Sequence, residues 1–338
     1  MQYTHDGLIF GNDDVETARH LRDSSPYAGG WSKFDALMLD SHLRANRVAS
    51  AVYDALRWRL MADEPAGARA LDAWPALMTA LGGVVGSTLE ELRHMFGLLH
   101  AHECLLGHPV YGAEHRAALA AALHQHVVLT AAEHQMSAVV WPWCLAVRAA
   151  AGVVLEAPAL LEGAAAELRT LIERIRPEGY LVAVVEPSKG DPNTMLYTLG
   201  AVHGMVLAAE VLAHAGIDVW SHEVRGVSLM TAAFYPLYYY YYPEKWPWAV
   251  DPLAAAAVLP KKRRQSAVPS SLTLDAAQQM FRSHAALLEI VNRRRPGVRA
   301  IQLILDEVRP VVDVLGGGAV TLTHAPPLPK KRGWFGRS

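Results

Sequence analysis

The chain has 338 residues, 31 Lys+Arg against 33 Asp+Glu, 52% apolar and 19% charged side chains. That composition excludes a disordered chain and supplies a large core, and a net charge of −2 excludes the basic footprint of a general nucleic-acid binder. Two cysteines, Cys104 and Cys144, form neither a disulfide framework nor a metal-ligand cluster and read as buried apolar thiols.

The amino terminus lacks the basic start and apolar stretch of a secretory leader, so the expected location is the cytoplasm. Helical periodicity then runs through Phe34–Ala62, Ala66–Leu81, Leu89–Leu106 and Glu114–Leu129. From Met136 to Leu155 the chain is apolar, but Arg148 and Trp141-Pro142-Trp143 argue against a membrane span, as Pro236 does for Val227–Pro243. Pro158–Arg176 is amphipathic, with Leu161, Leu168, Leu171, Ile172 and Ile175 on one face and Pro177-Glu178-Gly179 as its stop. Asp191-Pro192 reads as the cap and first residue of a second long helix, Pro192–Ala215, ending before Gly216.

Further helices are expected at Val224–Tyr242, Asp275–Asn292 and Gly297–Glu307. Pro243–Leu272 is a long excursion carrying the basic run Lys261–Arg264. Gly316–Thr323 reads as a short strand, and residues 326–338 as a flexible basic tail beyond a single domain of residues 1–325. The fold class is therefore all-α, with helical hairpins packed side by side as a solenoid or a ring.

Few residues announce chemistry by spacing alone. His100/His102 and His124/His126 are i, i+2 pairs that point to different sides of a helix, and with His94 they read as solvated or core histidines, so no metal and no cofactor is expected. More informative is the stretch from Glu133 to Thr198, where a turn with Glu133-His134 precedes Trp141 on what reads as one helical face. A polar loop from Pro177 to Gly190 then leads to Tyr197, bringing a cation, a carboxylate and a phenol toward one helix end.

The runs Glu133-His134-Gln135-Met136-Ser137-Ala138-Val139-Val140-Trp141, Ala151-Gly152-Val153-Val154-Leu155, Ile175-Arg176-Pro177-Glu178-Gly179 and Glu186-Pro187-Ser188-Lys189-Gly190 resemble, in order, those of the alginate lyase family of polysaccharide lyases. The likeness continues through Gly216-Ile217-Asp218-Val219-Trp220, Glu244–Trp248, His284–Glu289 and Arg309-Pro310, covering about residues 90 to 325. It implies an incomplete (α/α) toroid of about ten or more helices, with a groove for an acidic oligo- or polysaccharide cleaved by β-elimination. A neutralised uronate carboxylate makes the C5 proton acidic, a base removes it, and an acid protonates the departing C4 oxygen.

Matched position by position, the resemblance implies His134 as base or carboxylate-orienting residue and Tyr197 as proton donor, with base action as a second role open to it. Lys189 stands where the family carries arginine and Glu133 where it carries asparagine; Ala132 and Thr198 are further departures. Trp141, Trp143, Tyr180 and Glu186 are the expected substrate-binding residues. Two other activities fit the same framework: a glycoside hydrolase using Glu133 with Glu186 or Glu178, and a glycan-binding or assembly protein without turnover. Of the five tyrosines Tyr238–Tyr242, at most two can line a site if they share one helix.

Overall fold

The computed structural model describes residues 7–83, 86–124, 126–249 and 270–326. The basic run 261–264 and residues 327–338 of the expected tail lie outside these. The first helices are α1 (Asn12–His20), α2 (Tyr27–Ala36), α3 (Ser41–Ala45), α4 (Arg47–Met61), α5 (Glu64–Gly82), α6 (Leu89–Leu105), α7 (Ala113–His124) and α8 (Trp141–Val154). They are followed by α9 (Pro158–Glu173), the single turn α10 (Val182–Val185), α11 (Thr194–His214), the hairpin β1–β2 (Glu223–Val224, Val227–Ser228) and α12 (Leu229–Phe234). Last come α13 (Leu274–Ser283), α14 (Ala285–Arg294), α15 (Arg299–Val308) and α16 (Val320–His324).

The long helices start and stop for local reasons. Asn46 caps α4 by accepting from the Ala49 N–H at 3.0 Å, Asp63 caps α5 through Ala66 at 3.1 Å, and Thr88 with Glu91 closes a capping box on α6. α8 is apolar on every side, and Trp141 through Val153 are all buried, which marks an inner helix rather than an amphipathic outer one. By length and apolarity Thr194–His214 could cross a membrane, but 89% of that window is buried in the fold.

Contacts between helices show an inner ring. Asn46 of the α4 cap bonds His94 of α6 at 3.0 Å, and the Arg93 guanidinium lies 5.3 Å from the Trp143 ring of α8. Trp143 donates to the Gly200 carbonyl of α11 at 2.8 Å; His203 meets His284 at the head of α14; further along, Arg294 meets Glu210. Positions advance together along each pair, so α4, α6, α8, α11 and α14 run parallel, with their N-termini at one rim. Helices α5, α7 and α9 return along the outside, as in Gly152 of α8 packing tightly on Leu161 of α9. The two ends of the chain close the circuit: Arg19 of α1 donates to the Leu60 carbonyl at 2.8 Å, Asp14 pairs with Arg293 at 2.8 Å, and Tyr27 donates to the Ala325 carbonyl.

The axis of the ring is filled by the glycine loop Gly316–Gly318. A Cβ on Gly316 would lie 3.0 Å from His203, one on Gly318 would lie 3.1 Å from His100 and 3.2 Å from Leu56, and Leu315 fills the space beside Gly97. Glycine is required there because α4, α6 and α11 all converge on the loop, and Gly317 and Gly318 have φ of 134° and 79°.

Several expected boundaries change. The expected strand at 316–323 is this loop followed by α16. The single helix expected over 34–62 breaks into α2 to α4. Glu223–Ser228 is a hairpin, because Arg225 and Gly226 both take positive φ, the two-residue turn that pairs short strands. The helix expected over 275–292 breaks at His284, which turns that ring inward.

Candidate functional site

The parallel register puts the segment before α8 and the loop before α11 at the same rim. Val139 and Trp143 sit against Gly200 and Gly204 respectively, so the chain just ahead of α8 meets α11 one turn beyond Tyr197.

Glu133–Gln135 is one 3-10 turn, closed by the Met136 N–H donating to the Glu133 carbonyl at 3.0 Å. The chain then extends at Met136 and α8 begins only at Trp141, so His134 and Trp141 do not share a helical face. Arg148 of α8 fixes this turn: its buried guanidinium donates to the carbonyls of Val128, at 2.8 Å, and Ala131, and lies over the Trp141 ring. A buried cation needs those acceptors, and meeting the need ties the segment to the helix. His134 is thereby held at the surface, and Glu133 forms an ion pair with Arg174, which caps α9.

The loop ahead of α11 is self-bonded. The Thr194 hydroxyl donates to the Ser188 and Asp191 carbonyls at 2.7 and 2.6 Å, and the Gly190 N–H reaches the Trp248 carbonyl at 2.7 Å. Asp191 stands outside the helix rather than capping it; its carboxylate accepts from the Asn193 N–H at 2.8 Å and from the Tyr197 hydroxyl at 3.1 Å. The bond to Asp191 raises the Tyr197 pKa above the ordinary phenol value, so the proton stays on Tyr197 at neutral pH. Lys189 and Glu186 are exposed and make no ion pair among the described residues. Tyr180 packs on Trp248 and Tyr235 with ring centroids 5.0 and 5.7 Å apart, and Trp248 donates to the Tyr235 hydroxyl.

Two expected substrate-binding residues are corrected. Trp141 and Trp143 are 3% and 0% exposed, so neither ring presents a face to a sugar. Trp143 instead locks α8 to α11, and Trp141 lies under Arg148. The tyrosine run also divides: a 3-10 helix ends at Tyr240, which is buried and with Tyr241 donates to Glu307, whereas Tyr238 and Tyr242 stack in the open beneath Lys245. Cys104 and Cys144 are buried as expected, which pushes their thiols up to about 12 and about 11. Glu178 lines a separate cavity with Trp220, Glu223 and Arg295.

The rim also holds residues that sequence reasoning passed over. A cavity of about 360 Å³ is lined by Asn46, Glu90, Arg93, His94 and Leu315, and beneath it Arg93 pairs with Asp313 at 2.6 Å. On the other side of the start of α4, a cavity of about 930 Å³ with apolar walls carries Arg44, Arg47 and Arg69, the first and last paired with Asp54. His203 and His284, both buried, lie next to Gly200 and Asp313. Of these, His284 falls in a run already matched by resemblance and Asp191 in the loop already singled out. Arg93, Arg174 and Asn46 carry no local signal.

No protein-family model and no curated protein matches the sequence. Solved structures do match the fold. Alginate lyase A1-III from Sphingomonas species A1 superposes with a TM-score of 0.62 at 13% identity, covering 85% of this chain and 77% of that one. A variant of alginate lyase A1-III complexed with a tetrasaccharide gives 0.63 at 14%, covering 85% and 79%. An alginate lyase from Bacteroides ovatus gives 0.66 at 10%, covering 95% of this chain and 100% of that one. The chain has the all-α toroid of these enzymes, as the resemblance implied.

Proposed function

We propose that the rim formed by the N-termini of the inner helices is a groove for a uronic-acid-containing glycan, which it cleaves by β-elimination. One observation supports the reading: α8 and α11 pack in parallel within a toroid shared with alginate lyases, and the segments carrying His134 and Lys189 lead into the starts of these two helices.

In this reading the Lys189 ammonium neutralises the uronate carboxylate, so that the charge developing on loss of the C5 proton is met by a fixed cation. Lysine does this as a point charge, without the two-pronged grip of arginine. His134 takes the proton. Tyr197, protonated at neutral pH, delivers its hydroxyl proton to the departing C4 oxygen, exchanging Asp191 for the substrate as acceptor. Glu133, which alone would repel a uronate, arrives with its counter-charge in Arg174. Arg47, beside the adjoining cavity, adds positive potential where a longer polyanion would continue.

The test is a screen of alginate, glucuronan and other polyuronates for the ultraviolet absorbance of unsaturated products. An absorbance rise that disappears in Tyr197→Phe is the expected result. New reducing ends without absorbance would instead indicate hydrolysis, and binding without either signal a protein that holds glycan without cutting it.

A further inference from the structure

The His203–His284 pair is anchored at one end in a way that fixes its proton positions. His203 Nε2 lies 2.8 Å from the Gly316 carbonyl oxygen. A carbonyl only accepts, so His203 carries its proton on Nε2. Burial pushes both rings down to about 3, so both are neutral at pH 7. A neutral His203 with Nε2 protonated has a bare Nδ1, and that atom is 3.1 Å from Nδ1 of His284. Two bare nitrogens would repel; the contact is a hydrogen bond only if His284 is protonated on Nδ1. The chain of bonds therefore ends at His284 Nε2, which is left as a bare lone pair.

That nitrogen packs beside the first half of α11. It lies 3.7 Å from where a Cβ on Gly200 would stand, and Val139 meets the same point at 3.5 Å from the other side. Gly200 is one turn from Tyr197 on the same helix, so the two share a face. Nε2 has no hydrogen-bond partner among the described residues, in a side chain that is only 5% exposed.

We propose that His284 Nε2 is a fixed hydrogen-bond acceptor on the floor of the groove, a subsite for a hydroxyl of the bound saccharide. The subsite rests on the glycan reading for its ligand and on the Gly316–His203–His284 chain for its polarity. An acceptor that cannot switch to a donor takes an O–H and rejects a carboxylate or an ether oxygen, which leaves it unpaired. The glycine at position 200 leaves the room of a methyl group beside Nε2.

Long-range proton–nitrogen NMR on the full chain reads the tautomers directly. The expected result is His203 protonated on Nε2 and His284 on Nδ1; a His284 protonated on Nε2 overturns the proposal. Adding alginate tetrasaccharide should shift the His284 Nε2 resonance. Gly200→Ala, whose methyl fits at ordinary contact distance, should fold normally, keep both tautomers and bind about tenfold more weakly, the loss of one hydrogen bond. An Nε2 resonance that stays still while other rim signals move, or wild-type affinity in Gly200→Ala, also overturns it. If no polyuronate moves any signal, the glycan reading fails separately. Glycerol, as a plain hydroxyl probe, must then still shift Nε2 in the wild type and not in Gly200→Ala, and a static Nε2 rejects the subsite.

Discussion

The two halves of the ring treat charge in opposite ways. Toward the C-termini of the inner helices, Glu210 and Glu289 are fully buried and each is paired with an arginine. Glu210 pairs with Arg294 at 2.7 Å, and although burial raises its pKa, the nearby His214 and the bond from Arg294 bring it down to about 2. Glu289 accepts from Arg309 twice at 2.8 Å and from Thr321 at 2.7 Å. At the N-terminal rim, His134, Lys189 and Glu186 are exposed and Glu133 is paired, among the described residues, only with Arg174. The sealed pairs hold the ring together, whereas the exposed rim charges are, under the proposed reading, the ones that meet the ligand.

The broadest perturbation is acid, which acts on buried histidines in both halves. His100, His203, His284 and His324 are buried, and burial lowers them to about 3, 3, 3 and 4. Because their folded pKa values lie below the unfolded value near 6.5, the unfolded chain binds more protons as pH falls. Stability is then complete above about pH 6.5 and declines toward pH 4 by about 1.4 kcal/mol per pH unit for each histidine. Urea midpoints at pH 7, 6 and 5 should fall steeply, and flat midpoints would contradict neutral buried rings.

Glu289→Ala strands Arg309 and should cost about 3–5 kcal/mol in denaturant unfolding. Tyr197→Phe, at the open rim, should instead lower elimination at least about a hundredfold and move stability by less than about 0.5 kcal/mol. Equal losses of stability in the two variants would erase the distinction between the halves. Gly204→Ala places a methyl 2.7 Å from the Trp143 backbone nitrogen, which cannot yield, and should cost about 1–3 kcal/mol by calorimetry, unlike Gly200→Ala one turn earlier. The smallest effect is expected from Asp191→Asn: with the negative acceptor gone, the Tyr197 pKa falls, so the alkaline limb of the pH–rate profile moves to lower pH.

Much of the fold was legible because the apolar positions of α9 and α11 repeat at helical spacing, and α9 stops where Pro177-Glu178-Gly179 follows it. The hairpin at 223–228 and the break at His284 were not, since each depends on backbone angles that the surrounding apolar pattern conceals. The site was legible where an ordered set of short runs marked it, at His134, Lys189 and Tyr197. Trp141 and Trp143 misled because indole suits sugar stacking as well as packing; the absence of charge around α8, apart from Arg148, was the sign that it is an inner helix. The histidine pair could not be read at all, because its members are 81 residues apart and meet only through the ring.

The glycine loop that occupies the ring axis bears on how the chain assembles. Its partners in α4, α6 and α11 are made long before residues 316–318 leave the ribosome, and Tyr27 waits for Ala325, 298 residues later. Until then the nascent protein is an open arc whose inner faces are wet. Circular closure is a late event with a large loop entropy to overcome, and the arc is the species most exposed to aggregation during synthesis.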